Sequence, residues 1–81
     1  MLTVDHLLML VTPFCRARRI SEARLSTLLF NDGKRIDLLR RGGDITSRRL
    51  VSAFHWFSNN WPAEAQWPTQ VPRPVLEPEA A

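Results

Sequence analysis

Apolar residues recur at helical spacing four times along the chain, and residues that start or stop helices bound each run. In the first run, Val4 to Arg18, Leu7, Leu10, Val11 and Phe14 fall at three- and four-residue steps, with Leu8 and Cys15 widening the stripe. Thr3 or Asp5 suits the N-cap. Pro13 removes a backbone donor, which predicts a bend or a break. "RARR", Arg16 to Arg19, places cations at the negative end of the helix dipole. The second run opens at Ser21, a good N-cap, with Ile20 spaced to staple onto Leu25. Leu25, Leu28 and Leu29 form its expected inner face, and Ser26 is small enough for a close helix crossing. It stops near Phe30, because Asn31-Asp32-Gly33 is a strong break.

The third run starts at Asn31 or Asp32, either of which suits a cap. Ile36 and Leu39 face inward, and Gly42-Gly43 ends it. At barely two turns it depends on its neighbours for stability. Leu38 is left pointing outward. The fourth run repeats the entry logic of the second: Thr46 caps and Ile45 staples onto Leu50. Leu50, Phe54, Phe57 and Trp61 make its stripe, with Val51 and Ala53 beside it. Pro62 ends it by disfavouring helix at Trp61.

The last twenty residues differ. Pro62, Pro68, Pro72, Pro74 and Pro78 keep the chain extended, and two Trp-Pro pairs lie six residues apart. Trp67 and Val71 are expected to dock on the helices, and residues beyond about Arg73 to remain loose. The expected organisation is therefore a helical domain over 1–61 and an extended, partly disordered tail over 62–81. The class is all-α, with four short helices and a Pro/Trp-rich C-terminal tail.

Charge sharpens this division. The chain of 81 residues carries +3 overall, yet residues 1–61 carry +5 and residues 62–81 carry −2. The basic part is the part expected to fold, which suits a polyanionic partner such as nucleic acid. The single Cys15 lies on an apolar stripe and reads as a reduced core thiol, as in a cytoplasmic protein. No apolar stretch approaches the ~20 residues of a membrane helix, and the N-terminus has no signal-peptide pattern. No membrane association is expected.

The second and third helices, with the tight turn between them, form a helix-turn-helix pattern. Residues Ser21 to Phe54 resemble the lambda-repressor/Cro-like family, called XRE-type in bacteria. The likeness rests on Leu25-Ser26, the turn at Phe30-Asn31-Asp32, Ile36, "LLRRG" from Leu38 to Gly42, and "DITSRRL" from Asp44 to Leu50. The chain departs from the family pattern at Phe30, where a Gly is usual, at Arg40, where a Glu is usual, and at Gly33, where a base-reading side chain is common. The resemblance implies a Cro-like fold and a small transcriptional regulator of phage or mobile-element type.

A recognition helix presents its N-terminal residues to base edges in the major groove. Here those are Gly33, Lys34 and, one turn on, Asp37 and Leu38. Lys34 suits guanine O6 or N7, and Asp37 suits cytosine N4. Arg35 reaches base or phosphate, while Arg40 and Arg41 suit phosphate at the helix end. Ser21 and Glu22 place the second helix's N-terminal amides near a phosphate, provided that Glu22 turns away. Arg48 and Arg49 extend the basic strip, and Arg16, Arg18 and Arg19 are weaker candidates. One short helix reads few base pairs, so a homodimer is expected, with half-sites about 34 Å apart. Phe54, Phe57, Trp61 and Trp67 are its expected seam.

Two other readings remain open. A recombination directionality factor would share the same DNA-binding surface. A protein-interaction module of antiactivator type would fit the weak base-reading potential of Gly33, Asp32, Asp37 and Leu38 and the Trp/Pro tail. His6 and His55 lack companions at ligand spacing, so no metal or cofactor is expected. No catalytic triad or phosphate-binding loop is evident, so no enzymatic activity is expected. Trp56, Trp61 and Trp67 suit packing better than base stacking.

Overall fold

A computed structural model describes residues 2–73, and among these every regular element is helical. Helix α1 spans Val4–Arg18, α2 Glu22–Phe30, α3 Arg35–Arg40 and α4 Ser47–Asn60.

The helix boundaries follow side-chain chemistry. Thr3, Ser21 and Thr46 each cap a helix, accepting from the backbone N–H three residues on at 3.2, 3.0 and 3.2 Å. Arg19 and Asn31 take left-handed backbone (φ 58° in each) and close α1 and α2, donating to the carbonyls of Cys15 and Thr27. Pro13 does not break α1. The carbonyl that loses its partner belongs to Met9, on the exposed flank of the helix. Trp61 is extended before Pro62, which ends α4.

Helix α3 differs from expectation: it begins at Arg35 and not at Asn31 or Asp32, leaving Gly33 and Lys34 in the preceding turn. Asn31 is spent on ending α2. Asp32 folds its carboxylate back onto the Lys34 amide at 2.9 Å, which holds the chain in a turn before the helix starts. Gly42 at φ 95° then ends α3 in a conformation that side chains rarely adopt.

The core joins Leu7, Leu10, Val11 and Phe14 of α1 to Leu25 of α2, Ile36 and Leu39 of α3, and Ala53, Phe54 and Phe57 of α4. Leu28, expected on the inner face of α2, lies 45% exposed, and Val51 lies outside as well. Helix α2 turns about 100° per residue, so Leu28 sits closer to the exposed Arg24 than to Leu25.

The tail is not extended over its described part. Each Trp-Pro pair opens a short turn in which the indole N–H donates to the carbonyl four residues on: Trp61 to Ala65 and Trp67 to Val71, both at 2.8 Å. The backbone repeats in parallel, with Ala65 N–H donating to Pro62 and Val71 N–H to Pro68. The two indoles pack edge to face at 4.9 Å, Val71 is 3% exposed, and Pro62 is buried. Arg73 closes the segment, stacking on Trp67 and donating to the Ser58 hydroxyl and carbonyl. Residues 62–73 therefore belong to the same packed unit as the helices. The expectation of a loose end falls on residues outside those described.

Candidate functional site

The pairing of α2 with α3 is set by one buried hydroxyl. Ser26 is fully buried, donates to the Asp32 carbonyl and accepts from the Ile36 amide at 3.0 Å. Ile36 is the second residue of α3, so its N–H is one of the donors a helix start leaves without an internal partner. With no side-chain cap at Lys34, Ser26 caps α3 from the neighbouring helix and fixes the turn in the same stroke. A small polar residue inside the apolar face of α2 was the available sign. Its small size suits the expected close crossing, and the bond adds a partner six and another ten residues away that spacing does not reveal.

A second tie lies at the surface. Glu22 turns away from the α2 N-terminus and takes Arg40 in a two-pronged pair at 3.0 and 2.9 Å. Arg40 thereby holds the end of α3 to the start of α2. Arg35 reaches Asp32 at 3.7 Å, and Arg41 reaches Asp37 at 3.1 Å with both side chains largely exposed. The exposed Arg41–Asp37 pair adds little stability.

These pairs change the electrostatics read from sequence. Residues 21–49 hold seven cationic and four anionic side chains. Three of the cations, Arg35, Arg40 and Arg41, lie in ion pairs with Asp32, Glu22 and Asp37. Among the described residues, no ion pair involves Lys34, Arg24, Arg48 or Arg49. Lys34 stands exposed at the threshold of α3, with Asp37 and Leu38 exposed one turn on. Gly33 lies against α2: a Cβ there would meet the Thr27 hydroxyl at 3.2 Å. The start of α4 comes beside the start of α3, and Arg35, Asp44, Ile45, Thr46 and Arg49 line a shallow cleft between them. Ser21 uses its hydroxyl as the α2 cap. Arg48 is exposed in the first turn of α4.

The expected dimer seam needs correction. Phe54 and Phe57 are 0% exposed and lie in the chain's own core, so neither can meet a partner. Phe57 packs on Phe14 at 5.4 Å, and ring contacts run on through Trp56, Trp61 and Trp67. Trp61 and Trp67 are half-buried, with their indole N–H groups bonded inside the tail. Helix α4 turns Phe54 and Phe57 into the core it shares with α1, α2 and the folded tail.

Cys15 lies where α1 meets the α2–α3 pair. Burial, together with the nearby Glu22 carboxylate, pushes its thiol above the ordinary value of 9.0, against a smaller opposing effect from Arg40. The thiol is thus protonated near neutrality. Among the described residues, no group of three or more His, Cys, Asp or Glu side chains converges as a metal site would need. Nor is any described helix long and apolar enough to cross a membrane. No family model, curated protein or solved structure matches the chain.

Proposed function

We propose that the chain is a small double-stranded DNA-binding transcriptional regulator, working as a homodimer through a Cro-like helix-turn-helix formed by α2 and α3. The observation that carries this reading is the Ser26 bridge, which sets α2 and α3 at one fixed geometry while leaving Lys34, Asp37 and Leu38 on an open face. A reading element must be held rigidly and presented outward, and this bridge supplies the rigidity without covering the face. Lys34 donates to a guanine edge, Asp37 accepts from a cytosine amine, and Leu38 offers apolar contact to a thymine methyl. Arg48 contacts a phosphate beside the start of α4. Arg40 and Arg41 contribute less than their number suggests, because Glu22 and Asp37 offset them. With only six residues in α3, each subunit reads few base pairs, and a dimer on half-sites about 34 Å apart provides the rest.

The ion pairs also favour a second reading, a protein-interaction module of antiactivator type on the same scaffold. One experiment separates the two: selection of bound duplexes from a random pool, followed by polarisation titrations at two salt concentrations. A DNA-binding protein shows log K falling with log salt by about 0.9 per phosphate contacted. Lys34→Ala should then relax discrimination at one base pair by about 1–3 kcal/mol. Arg48→Ala should weaken all sequences alike and lower the salt slope by about one contact. Absence of salt-dependent duplex binding in a natively folded protein refutes the DNA-binding reading.

A further inference from the structure

Helices α2 and α4 leave a furrow between them whose lining meets the cleft beside α3 only at Arg49. Arg49, Ser52, Trp56 and Asn60 follow one stripe of α4 at three- and four-residue steps and form one wall. Leu28, 45% exposed, stands on the opposite wall and borders both halves of the furrow. Phe14 and Ile20 close one half, while Leu29 and Phe30 close the other. The stripe from Arg49 to Asn60 is about 16 Å long at 1.5 Å per residue, the span of three helical turns.

The charge along it has one sign. Arg18 borders one half and Arg49 the other, Arg24 lies one turn before Leu28 on the exposed face of α2, and no carboxylate lines either half. Arg18 is held in place by donating to the Asn60 carbonyl at 3.0 Å and by lying over the Phe14 ring. We infer that this furrow is a docking site for an acidic amphipathic segment of a partner protein, with an apolar side chain seated between Leu28 and Trp56 and carboxylates toward Arg18 and Arg49. A two-fold dimer closed through this furrow fits badly. Two-fold pairing of the furrow with itself sets arginine against arginine whichever way the axis runs, and like charges across an interface are costly. DNA fits badly too, because a phosphate backbone gains nothing from a floor of Phe14, Leu28 and Trp56. The furrow shares no residue with α3 and only Arg49 with the cleft beside it, so Leu28, Ser52 and Trp56 can be altered without touching the proposed DNA contacts.

The test uses two synthetic helix-forming peptides of about fourteen residues, both with Leu at positions i, i+3, i+4 and i+7. Glu fills the remaining positions of one and Lys those of the other. Binding is read by anisotropy of a labelled peptide and by amide and indole shifts in nuclear magnetic resonance spectra. The expected result is saturable binding of the Glu peptide below about 1 mM, with shifts confined to Leu28, Ser52, Trp56 and their neighbours. The Lys peptide should bind at least about tenfold more weakly. Leu28→Glu and Ser52→Glu each alter an exposed position, and each should weaken the Glu peptide by about tenfold or more with an unchanged circular dichroism spectrum. The selected duplex should still bind Leu28→Glu as it binds the parent. Equal binding of both peptides, no saturable binding of either, or a concentration-dependent dimer that Leu28→Glu dissolves would each overturn the proposal.

Discussion

The two halves of this small protein are held together by different means. Between α1, α4 and the tail, aromatic rings pack in an unbroken series: Phe14 on Trp56, Phe57 and Trp61, and Trp61 on Trp67, with centroids 4.9 to 5.9 Å apart for these four pairs. The α2–α3 half buries only Leu25, Ile36 and Leu39 among its apolar residues and relies on placed polar bonds at Ser26, Asp32 and Glu22. Large rings remove much area from water and tolerate small displacements, so they make a robust frame. Polar bonds contribute less energy but are directional, so they fix an angle between two short helices. The contrast matters because α3, at six residues, has no stability of its own. Its position is an imposed one, held by the polar bonds to α2 and by packing of the pair on α1.

The largest effect should come from breaking the frame. Phe57→Ala removes a ring that is 0% exposed and touches Phe14, Trp56 and Trp61. A loss of about 3–5 kcal/mol is expected for such a cavity. Urea denaturation followed by circular dichroism should show it, and α3 should melt together with α1. If α3 kept its structure while α1 and α4 loosened, the frame would not be what supports it.

Ser26→Ala strikes the other half and should cost less, about 1–3 kcal/mol, because it strands the buried Ile36 amide and leaves the Asp32 carbonyl without its partner. Its distinguishing mark is locality. Amide exchange should speed up in α3 and in residues 31–34 while the α1 and α4 amides keep most of their protection. Duplex affinity should fall further than the global stability loss explains, since the outward face of α3 is no longer held. Uniform loss of protection across all four helices would show that the two halves are not separable as described.

Legibility followed the range of each signal along the chain. Helix starts and faces could be read because periodicity and capping are local signals: Thr3, Ser21 and Thr46 announce their helices, and Leu7, Leu10, Val11 and Phe14 announce their face. Three features were not readable for a common reason, namely that they depend on residues distant along the chain. Ser26 caps α3 from ten residues away, Glu22 captures Arg40 from eighteen, and Phe54 and Phe57 turn into a core shared with α1, α2 and the tail. The tail misled reading in another way. Five prolines suggested an extended chain, but a Trp before Pro places an indole donor within reach of the carbonyl four residues on, and the motif occurs twice. Of the expected DNA-contacting set, Lys34 and Arg48 are exposed and in no ion pair among the described residues, whereas Arg35, Arg40 and Arg41 have carboxylate partners that spacing alone did not reveal.

The smallest expected effect lies at the border between the halves, at Cys15. Burial raises this thiol above 9.0, and Glu22, the same carboxylate that ties α2 to α3, adds to the rise while Arg40 partly opposes it. Because the folded state holds the proton more tightly than the unfolded chain does, the associated stability is fully present below the ordinary thiol value. It is lost as pH rises through the higher folded value. The window is therefore alkaline: stability should be insensitive to this group at pH 7 and decline above about pH 9. Cys15→Ala removes the titration while leaving a small apolar group in place, so the parent should lose more stability than the variant between pH 8 and pH 10.5, measured as the difference in melting temperature. Reaction of the thiol with a water-soluble disulfide reagent at pH 8 should be slow in the folded parent and fast in urea. It should also quicken in Ser26→Ala, in which α3 opens and the cover over Cys15 loosens. A parent and a Cys15→Ala variant with superimposable pH profiles would place the thiol in contact with water, and the border between aromatic frame and polar latch would have to be drawn elsewhere.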